Sequence, residues 1–343
     1  MMKRGLLFIS LAFLFWMGAN AQNRTEHNTA VIGFYNVENL FDTIDDPLTN
    51  DQQHLPDGEY QWDSEKYYHK LHNLSYTISQ IAKEEGGPVV LGVSEIENER
   101  VLLDLVSQPE LKPFNYGVIH HDSPDRRGVD VAFIYQKDRF RLIDKVPYRL
   151  VTSDTSFRTR DQLLIKGVLD GTDTIHVIVN HWPSKIGGEQ RSMPKRIAAA
   201  ELSKHISDSI MGSNPHAKVI IMGDLNDNPD AKSITTVLRP KTKAKDVKVN
   251  ELFNPMYRLY MQGIWSYVYR DEPNVIDQII ISYGLLHAQR GYQYSGVTIF
   301  RANFLLNKSG NYEGTPHRTY AGGTYLGGYS DHLPVYITLV KVN

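Results

Sequence analysis

The apolar run Val219-Ile220-Ile221-Met222 stops at Gly223 and gives way to Asp224-Leu225-Asn226-Asp227-Asn228-Pro229. The chain repeats this pattern, an apolar run ended abruptly by carboxylates and amides, and no other feature narrows the fold as much. A run of this length reads as a buried strand. Asp224 and Asn226 are separated by one residue, so if extended geometry persists they project together from the strand's carboxyl end. Asp, Asn and Pro are also ordinary turn residues. A turn alone would explain the pair, and a functional reading depends on what the other strands deliver.

Residues 29–37 form a second such run, leading into Asn36-Val37-Glu38-Asn39-Leu40-Phe41-Asp42, with Asn36 and Glu38 expected on one face. Residues 89–93 end in Ser94-Glu95-Ile96-Glu97, and residues 175–179 end in Asn180-His181-Trp182-Pro183-Ser184-Lys185. Residues 114–119, 129–135, 139–151 and 162–169 read as an antiparallel run of strands separated by polar turns. Strands are also expected around 265–269 and at 275–281, the latter containing Asp277. A last strand reaches Val340 after Ser330-Asp331-His332-Leu333-Pro334.

Tyr67, Leu71, Leu74 and Ile78 recur at helical spacing and predict an amphipathic helix over 64–83. Its His69 and His72 lack a third ligand and read as solvated or packing histidines. Another helix runs from about Glu189 or Met193 to Met211, with Pro194 tolerable only in its first turn, and a further one starts at Asp230. Residues 42–63 read as a long polar surface loop bordering the site, and 319–329 as a glycine- and tyrosine-rich loop. Many strands, few helices, no repeat and no composition break predict one α+β domain over 29–340, two packed sheets with helices outside.

Lys3 and Arg4 precede an apolar stretch from Gly5 to Met17, and Ala19-Asn20-Ala21 follows in a cleavage pattern. Residues 1–21 are therefore expected to be a secretory signal peptide cleaved near Ala21, which would leave the mature protein secreted or periplasmic. The stretch is too short to span a bilayer, and no later segment approaches ~20 apolar residues, so no stable membrane insertion is expected. The chain has no cysteine, which excludes thiolate nucleophiles, zinc ribbons and iron-sulfur clusters. The formal net charge is −2, so no global field attracts a polyanion.

The polar residues at these strand ends are Asn36, Glu38, Glu95, His181, Asp224, Asn226, Asp277, Asp331 and His332, from six segments. Their hard oxygens suit Mg²⁺ or Mn²⁺, with Ca²⁺ a further candidate, and Glu95 and Glu38 fit the ligand role. Two imidazoles and several carboxylates serve proton transfer, and the amides can hold a pentavalent phosphorus centre. That inventory suits metal-assisted phosphoester hydrolysis. Gly328-Tyr329-Ser330-Asp331-His332 is not a nucleophile elbow, which needs glycine at 332, and adjacent residues cannot form the triad relay. There is no phosphate-cradling Walker loop, no dinucleotide fingerprint and no HExxH.

Asn36-Val37-Glu38, Ser94-Glu95, Asn180-His181-Trp182-Pro183-Ser184, Gly223-Asp224-Leu225-Asn226, Ile276-Asp277 and Ser330-Asp331-His332, in that order, closely resemble the endonuclease/exonuclease/phosphatase (DNase I-like) superfamily, in the form of a secreted bacterial member. The resemblance implies a four-layer α/β/β/α sandwich of two mostly antiparallel sheets, with the site across the top. It implies that Glu95 is the principal metal ligand, assisted by Glu38 and Asp331. His332, oriented by Asp277, would be the general base or a phosphate-stabilising imidazole. Asp224 would align or deprotonate the attacking water, Asn226 would donate to a phosphate oxygen, and His181 would stabilise the phosphate or protonate the leaving group. Asn36, Asn180 and Arg127 are the expected phosphate contacts. Glu38 stands where many relatives have Asp, and the acidic loop 42–63 is ill suited to a DNA backbone unless Arg126, Arg127 and neighbouring cations compensate.

The function expected is divalent-metal-dependent hydrolysis of phosphodiester bonds, foremost by a secreted nuclease acting on DNA or RNA. A phosphoesterase acting on phospholipid or sphingomyelin head groups, or on small phosphate esters, shares the same motifs, because loops choose what is attached to the phosphate. A non-catalytic binding protein on this scaffold would be expected to lose part of the hydrolytic set, and none is lost. No protein partner is suggested.

Overall fold

The computed structural model describes residues 28–342, so the leader expected over residues 1–21 lies outside the described residues. The first sheet begins with β1 (Thr29–Leu40), α1 (Ser64–Gln80), β2 (Pro88–Ile96), α2 (Glu99–Val106), β3 (Tyr116–His120) and β4 (Asp130–Gln136). The chain then crosses to a second sheet through β5 (Phe140–Tyr148), β6 (Gln162–Leu169), β7 (Asp173–His181), α3 (Glu189–Ser213), β8 (Lys218–Asp224), β9 (Leu252–Phe253) and α4 (Met256–Met261). A hairpin of β10 (Tyr267–Tyr269) and β11 (Glu272–Asn274) precedes β12 (Asp277–Ser282) and α5 (Tyr283–Leu286). The chain returns to the first sheet with β13 (Gly291–Ile299), a small hairpin of β14 (Tyr320–Ala321) and β15 (Thr324–Tyr325), and β16 (Val335–Val342). The strand orders are β13-β16-β1-β2-β4-β3 and β5-β6-β7-β8-β12-β9.

Alternation along each strand makes this a four-layer α/β/β/α sandwich. Ile32, Phe34, Val90 and Phe133 of the first sheet meet Val177, Val179, Ile220, Met222 and Ile279 of the second in a shared core. The intervening residues face outward: Leu91, Val93 and Ile134 lie under Leu71, Leu74 and Ile78 of α1 and Leu102 of α2. Ile178, Val219 and Ile221 lie under Ala199, Ala200 and Ile206 of α3. Each fully buried aliphatic contributes about 1.5–3 kcal/mol. No helix among the described residues is long and apolar enough to cross a membrane.

Three expectations need correction. The antiparallel run over 114–169 is split between the sheets, β3 pairing with β4 and β5 with β6, because the chain changes sheet after Gln136. The helix expected from Asp230 is only a short π-helical turn, Ser233–Leu238. The strand at 275–281 begins at Asp277, which opens β12.

Strand direction assembles the site. β1 runs parallel to β2 and β7 parallel to β8, which brings carboxyl ends side by side: Asn36 pairs with Ser94, and His181 with Asp224. β12 is antiparallel to β8, so its first residue, Asp277, sits opposite Asp224. β16 is antiparallel to β1, with Val335 opposite Phe34, so Ser330–His332 arrives at the same edge. Gly223 holds the close approach of β7 and β8: its φ is +153°, and a Cβ there would stand 2.2 Å from the Asn180 carbonyl oxygen. Gly223→Ala is expected to destabilise the protein by more than about 2 kcal/mol, read from chemical denaturation; a change within about 0.5 kcal/mol would contradict this geometry.

Candidate active site

β1 and β2 end irregularly. Pairing breaks between Asn36 and Leu40 and between Ser94 and Ile96, and Glu38, Asn39 and Glu95 adopt φ of 53°, 52° and 65°. Left-handed conformations at such residues cost roughly 1–3 kcal/mol each, and a bulge re-aims the side chain. Asn36 and Glu38, expected on one face, therefore part. Asn36 donates from Nδ2 to Glu95 Oε1 (3.3 Å) and Asp224 Oδ2 (3.1 Å), whereas Glu38 Oε2 accepts from the Thr319 amide at 2.7 Å. Asn226, at φ 52°, folds back so that its amide donates to Asp224 Oδ1 (2.9 Å) and its Nδ2 to the Trp182 carbonyl (3.0 Å).

Asp224 lies between two imidazoles. His181 Nε2 is 3.5 Å and His332 Nε2 3.9 Å from Asp224 Oδ2. His332 Nδ1 meets Asp277 Oδ2 at 2.8 Å, Ser266 Oγ donates to the same oxygen at 2.6 Å, and the Tyr267 ring stacks on His332 with centroids 4.5 Å apart. Burial, only partly offset by His332, raises the Asp224 carboxyl to about 7. Burial disfavours the His332 imidazolium, but Asp277, Asp331 and Asp224 outweigh it and hold the ring well above the usual histidine range. At His181 burial, then Arg160 and Arg127, act the other way and keep the ring neutral. The two histidines thus carry different charges around one carboxyl group, the condition for separate roles.

The opposite wall is ionic. Glu38 faces Lys70 Nζ at 3.9 Å and Arg318 Nε at 3.6 Å, and Arg318 also pairs with Asp331, whose Oδ1 is 3.9 Å from His332 Nε2. Burial, then Asp331, raises Glu38 to about 7, while burial lowers Lys70 to about 8. Lys70 is 1% exposed on its side chain; its Nζ donates to Thr319 Oγ1 (2.5 Å) and the Tyr329 carbonyl (2.7 Å).

The donor set fits a hard divalent cation unevenly. Asp277 is engaged by His332, Asp331 by Arg318, and Glu38 by Lys70 and Arg318. Glu95 differs: its Oε2 accepts from the Asn39 amide at 2.9 Å, but among the described residues no lysine or arginine pairs with it, only the neutral His181 at 3.9 Å. Its charge is left for something else to balance, which suits it to the principal ligand role. Asp224, Asp277 and His332 also bring one potential ligand atom each within 4.8 Å of one another, but the His332–Asp277 hydrogen bond makes that group an acid-base relay first.

Of the residues singled out in the sequence, Asn36, Glu38, Glu95, His181, Asp224, Asn226, Asp277, Asp331 and His332 converge on this cleft. Arg127 stands half-exposed near enough to His181 to depress it. Asn180 does not face the cleft: it is fully buried, its Nδ2 donates to the Ile178 and Met222 carbonyls, and its Oδ1 accepts from Trp182 Nε1 and Ser203 Oγ. Its expected phosphate contact is corrected to support of the strand end carrying His181. The sequence reading missed Lys70, Arg318, Ser266 and Tyr267. Lys70 carried a signal, since it falls three residues after Tyr67 and four before Leu74, on the apolar face of α1. The others are brought in by distant segments and carried none.

A family model described as "Endonuclease/Exonuclease/phosphatase family" matches residues 31–341. No curated protein sequence matches the chain. Among solved structures, D. rerio TDP2 complexed with single strand DNA product is similar at TM-score 0.56 and 13% identity, covering 91% of this chain and 98% of that one. The human Nocturnin catalytic domain with bound sulfate anion is similar at 0.55 and 14%, covering 92% and 96%. An endonuclease/exonuclease/phosphatase family protein from Bacteroides thetaiotaomicron is similar at 0.53 and 17%, covering 91% and 98%. At such identities the likeness is one of fold.

Proposed function

This chain belongs to the endonuclease/exonuclease/phosphatase family over residues 31–341, and on that premise we propose that it is a divalent-metal-dependent phosphodiesterase, a secreted nuclease cutting DNA or RNA. The observation that carries the reading is the Asp224 carboxyl held between His181 and His332, beside a Glu95 with which no lysine or arginine pairs among the described residues. A divalent ion, Mg²⁺ or Mn²⁺ in the first instance, held by Glu95 with Glu38 and Asp331 nearby would supply charge neutralisation at a phosphoryl oxygen.

The protein's own groups perform the rest. Asp224, with a pKa near 7, is matched to accept a proton from the attacking water at neutral pH. His332, kept cationic by Asp277, donates from Nε2 to a phosphoryl oxygen and stabilises the charge of the pentavalent centre. Neutral His181 lies on the other side of Asp224 and faces the leaving group. Asn36 orients both Glu95 and Asp224, and Asn226 and Arg127 would contact the phosphate. TDP2 was seen with a single strand DNA product and Nocturnin with a sulfate anion, which supports a nucleic-acid reading here by analogy of fold. A lipid head group is the second reading, favoured by Ile44 and Leu48 on the loop after β1 and Ile186 after β7, which are 57%, 92% and 86% exposed.

The test is a panel of plasmid DNA, single-stranded DNA, RNA, sphingomyelin and a simple diester with Mg²⁺, Mn²⁺ or Ca²⁺. Polynucleotide cleavage is expected, lost in EDTA and restored by added metal. Glu95→Gln should raise the metal concentration needed for half-maximal rate by about tenfold or more. Full activity in EDTA would overturn the metal role, and cleavage of sphingomyelin alone would overturn the nuclease reading.

A further inference from the structure

A cavity of about 230 Å³ adjoins the cleft, walled by Glu38, His54, Tyr60, Trp62, Arg318 and Tyr320. We infer that it is a stacking subsite for one nucleobase of the substrate, that of a nucleotide adjoining the scissile phosphate; the inference rests on the phosphodiesterase reading above. Asn39, Thr319, Gly322 and Gly323 complete the lining, so four of its ten residues are aromatic. Trp62 is buried behind the other rings, and the rings come from the loop after β1 and the β14–β15 hairpin. Water occupies about 30 Å³ per molecule in the liquid, so a cavity of about 230 Å³ is large enough to admit a heterocyclic ring.

The rings are fixed before any ligand arrives. His54 stacks on Phe41 with centroids 4.0 Å apart and planes 12° from parallel, and Tyr60 lies 5.0 Å from His54. Tyr320 is 4.7 Å from Tyr60, and its hydroxyl donates to the Tyr60 carbonyl at 2.8 Å. Trp62 Nε1 donates to the Phe41 carbonyl at 3.0 Å. Rings held this way lose little freedom when a base stacks on them. The polar walls connect the cavity to the reacting end of the cleft, because Arg318 pairs with Asp331, which lies 3.9 Å from His332.

The wall chemistry selects the class of ligand. Aromatic faces stack on any planar heterocycle, while Glu38 and Arg318 offer an acceptor and a donor to its edge. An acyl chain would gain nothing from those two charges. A base enters only when it is unstacked from its neighbours, so the subsite favours single strands, strand ends and short nucleotides over an intact duplex.

Calorimetric titration of the full protein with Mg²⁺ tests the inference, comparing a nucleoside 5′-monophosphate with ribose 5-phosphate, in which an anomeric hydroxyl replaces the base. Stacking one base is worth about tenfold or more in affinity, so the parent should bind the nucleotide at least that much more tightly. Tyr320→Ala and Tyr60→Ala should each bring the ratio to within about twofold, while Tyr320→Phe, which keeps the ring and loses only the hydroxyl bond, should retain it. If one alanine variant fails to fold, the other and the parent ratio still decide. A parent ratio near one, or a ratio unmoved by both alanine substitutions, overturns the subsite. Loss of the phosphodiesterase reading would appear separately, as no diester cleaved under any metal, because binding is read without turnover.

Discussion

Asp224→Asn is expected to slow diester hydrolysis by about 10²–10⁴-fold while leaving the protein at least as stable as the parent at pH 8. The carboxyl is 4% exposed on its side chain and lies within 4 Å of two imidazoles. Its pKa rises from 3.8 to about 7 on folding, chiefly through burial. The folded state therefore binds this proton more tightly than the unfolded state does. For this group stability is highest below pH 4, falls as pH rises from about 4 to about 7, and stays low above. Asparagine has the same shape and carries no charge; it keeps an acceptor for the Asn226 amide but gives up the one for Asn36 Nδ2. It therefore removes a penalty on the order of 1–3 kcal/mol at pH 8, less the roughly 1 kcal/mol of that hydrogen bond. The gain should shrink at pH 5, where the parent's Asp224 is largely protonated when folded. Denaturant titrations at the two pH values together with initial rates measure both effects. A variant that is less stable at pH 8, or that cleaves within about tenfold of the parent rate, would contradict this account of Asp224.

Lys70→Met is the companion case, a large loss of stability at a buried residue of the cleft's ionic wall. The lysine is buried from α1 and its ammonium holds the segment before β16 through Thr319 Oγ1 and the Tyr329 carbonyl, while facing Glu38 at 3.9 Å. Beside it Asn73 Nδ2 donates to the carbonyls of Gly327 and Gly328. Methionine fills the same volume without the charge, so Glu38 would keep only Arg318, and two buried acceptors would lose their donor. Removing one partner of a buried ion pair typically costs about 3–5 kcal/mol, and we expect about 3, measured from the denaturation midpoint. The pair should also be non-additive. Glu38→Gln in the Lys70→Met background should cost less than in the parent by more than about 1 kcal/mol, because the two groups share one interaction. A Lys70→Met variant within about 0.5 kcal/mol of the parent would mean that the ammonium does not hold this loop.

The fold and most of the cleft were legible for a local reason. Alternation along each strand set inner and outer faces, and a polar residue after an apolar run marked where the strand left the core at Asn36, Glu95, His181 and Asp224, while His332 lies just before the last strand. The failures have an equally local cause. Extrapolating alternation past Asn36 set Glu38 beside it, whereas the irregular pairing and left-handed backbone at 38–39 carry Glu38 to the cleft's other wall, with Lys70 and Arg318. Asn180 was grouped with its neighbour His181, although adjacent residues on a strand face opposite ways and Asn180 turns into the α3 side of the sheet, toward Ser203. Lys70 was overlooked in favour of the histidines beside it, although its place on the apolar stripe of α1 was visible.

What the sequence determined by itself was most of the strands, though not β13 (Gly291–Ile299), the class of fold and the chemical inventory at the strand ends, because side-chain alternation and turn chemistry act over a few residues. What the tertiary structure decided was which ends meet and how each group is charged. Ser330 Oγ donates to the Asn36 carbonyl across 294 positions of the chain, and that contact exists only because β16 pairs antiparallel with β1. The opposite electrostatic states of His181 and His332, the uncompensated charge of Glu95 and the aromatic cavity beside Glu38 all follow from such long-range pairing. Burial and Coulomb energy depend on distance in space, which two packed sheets set and local sequence does not.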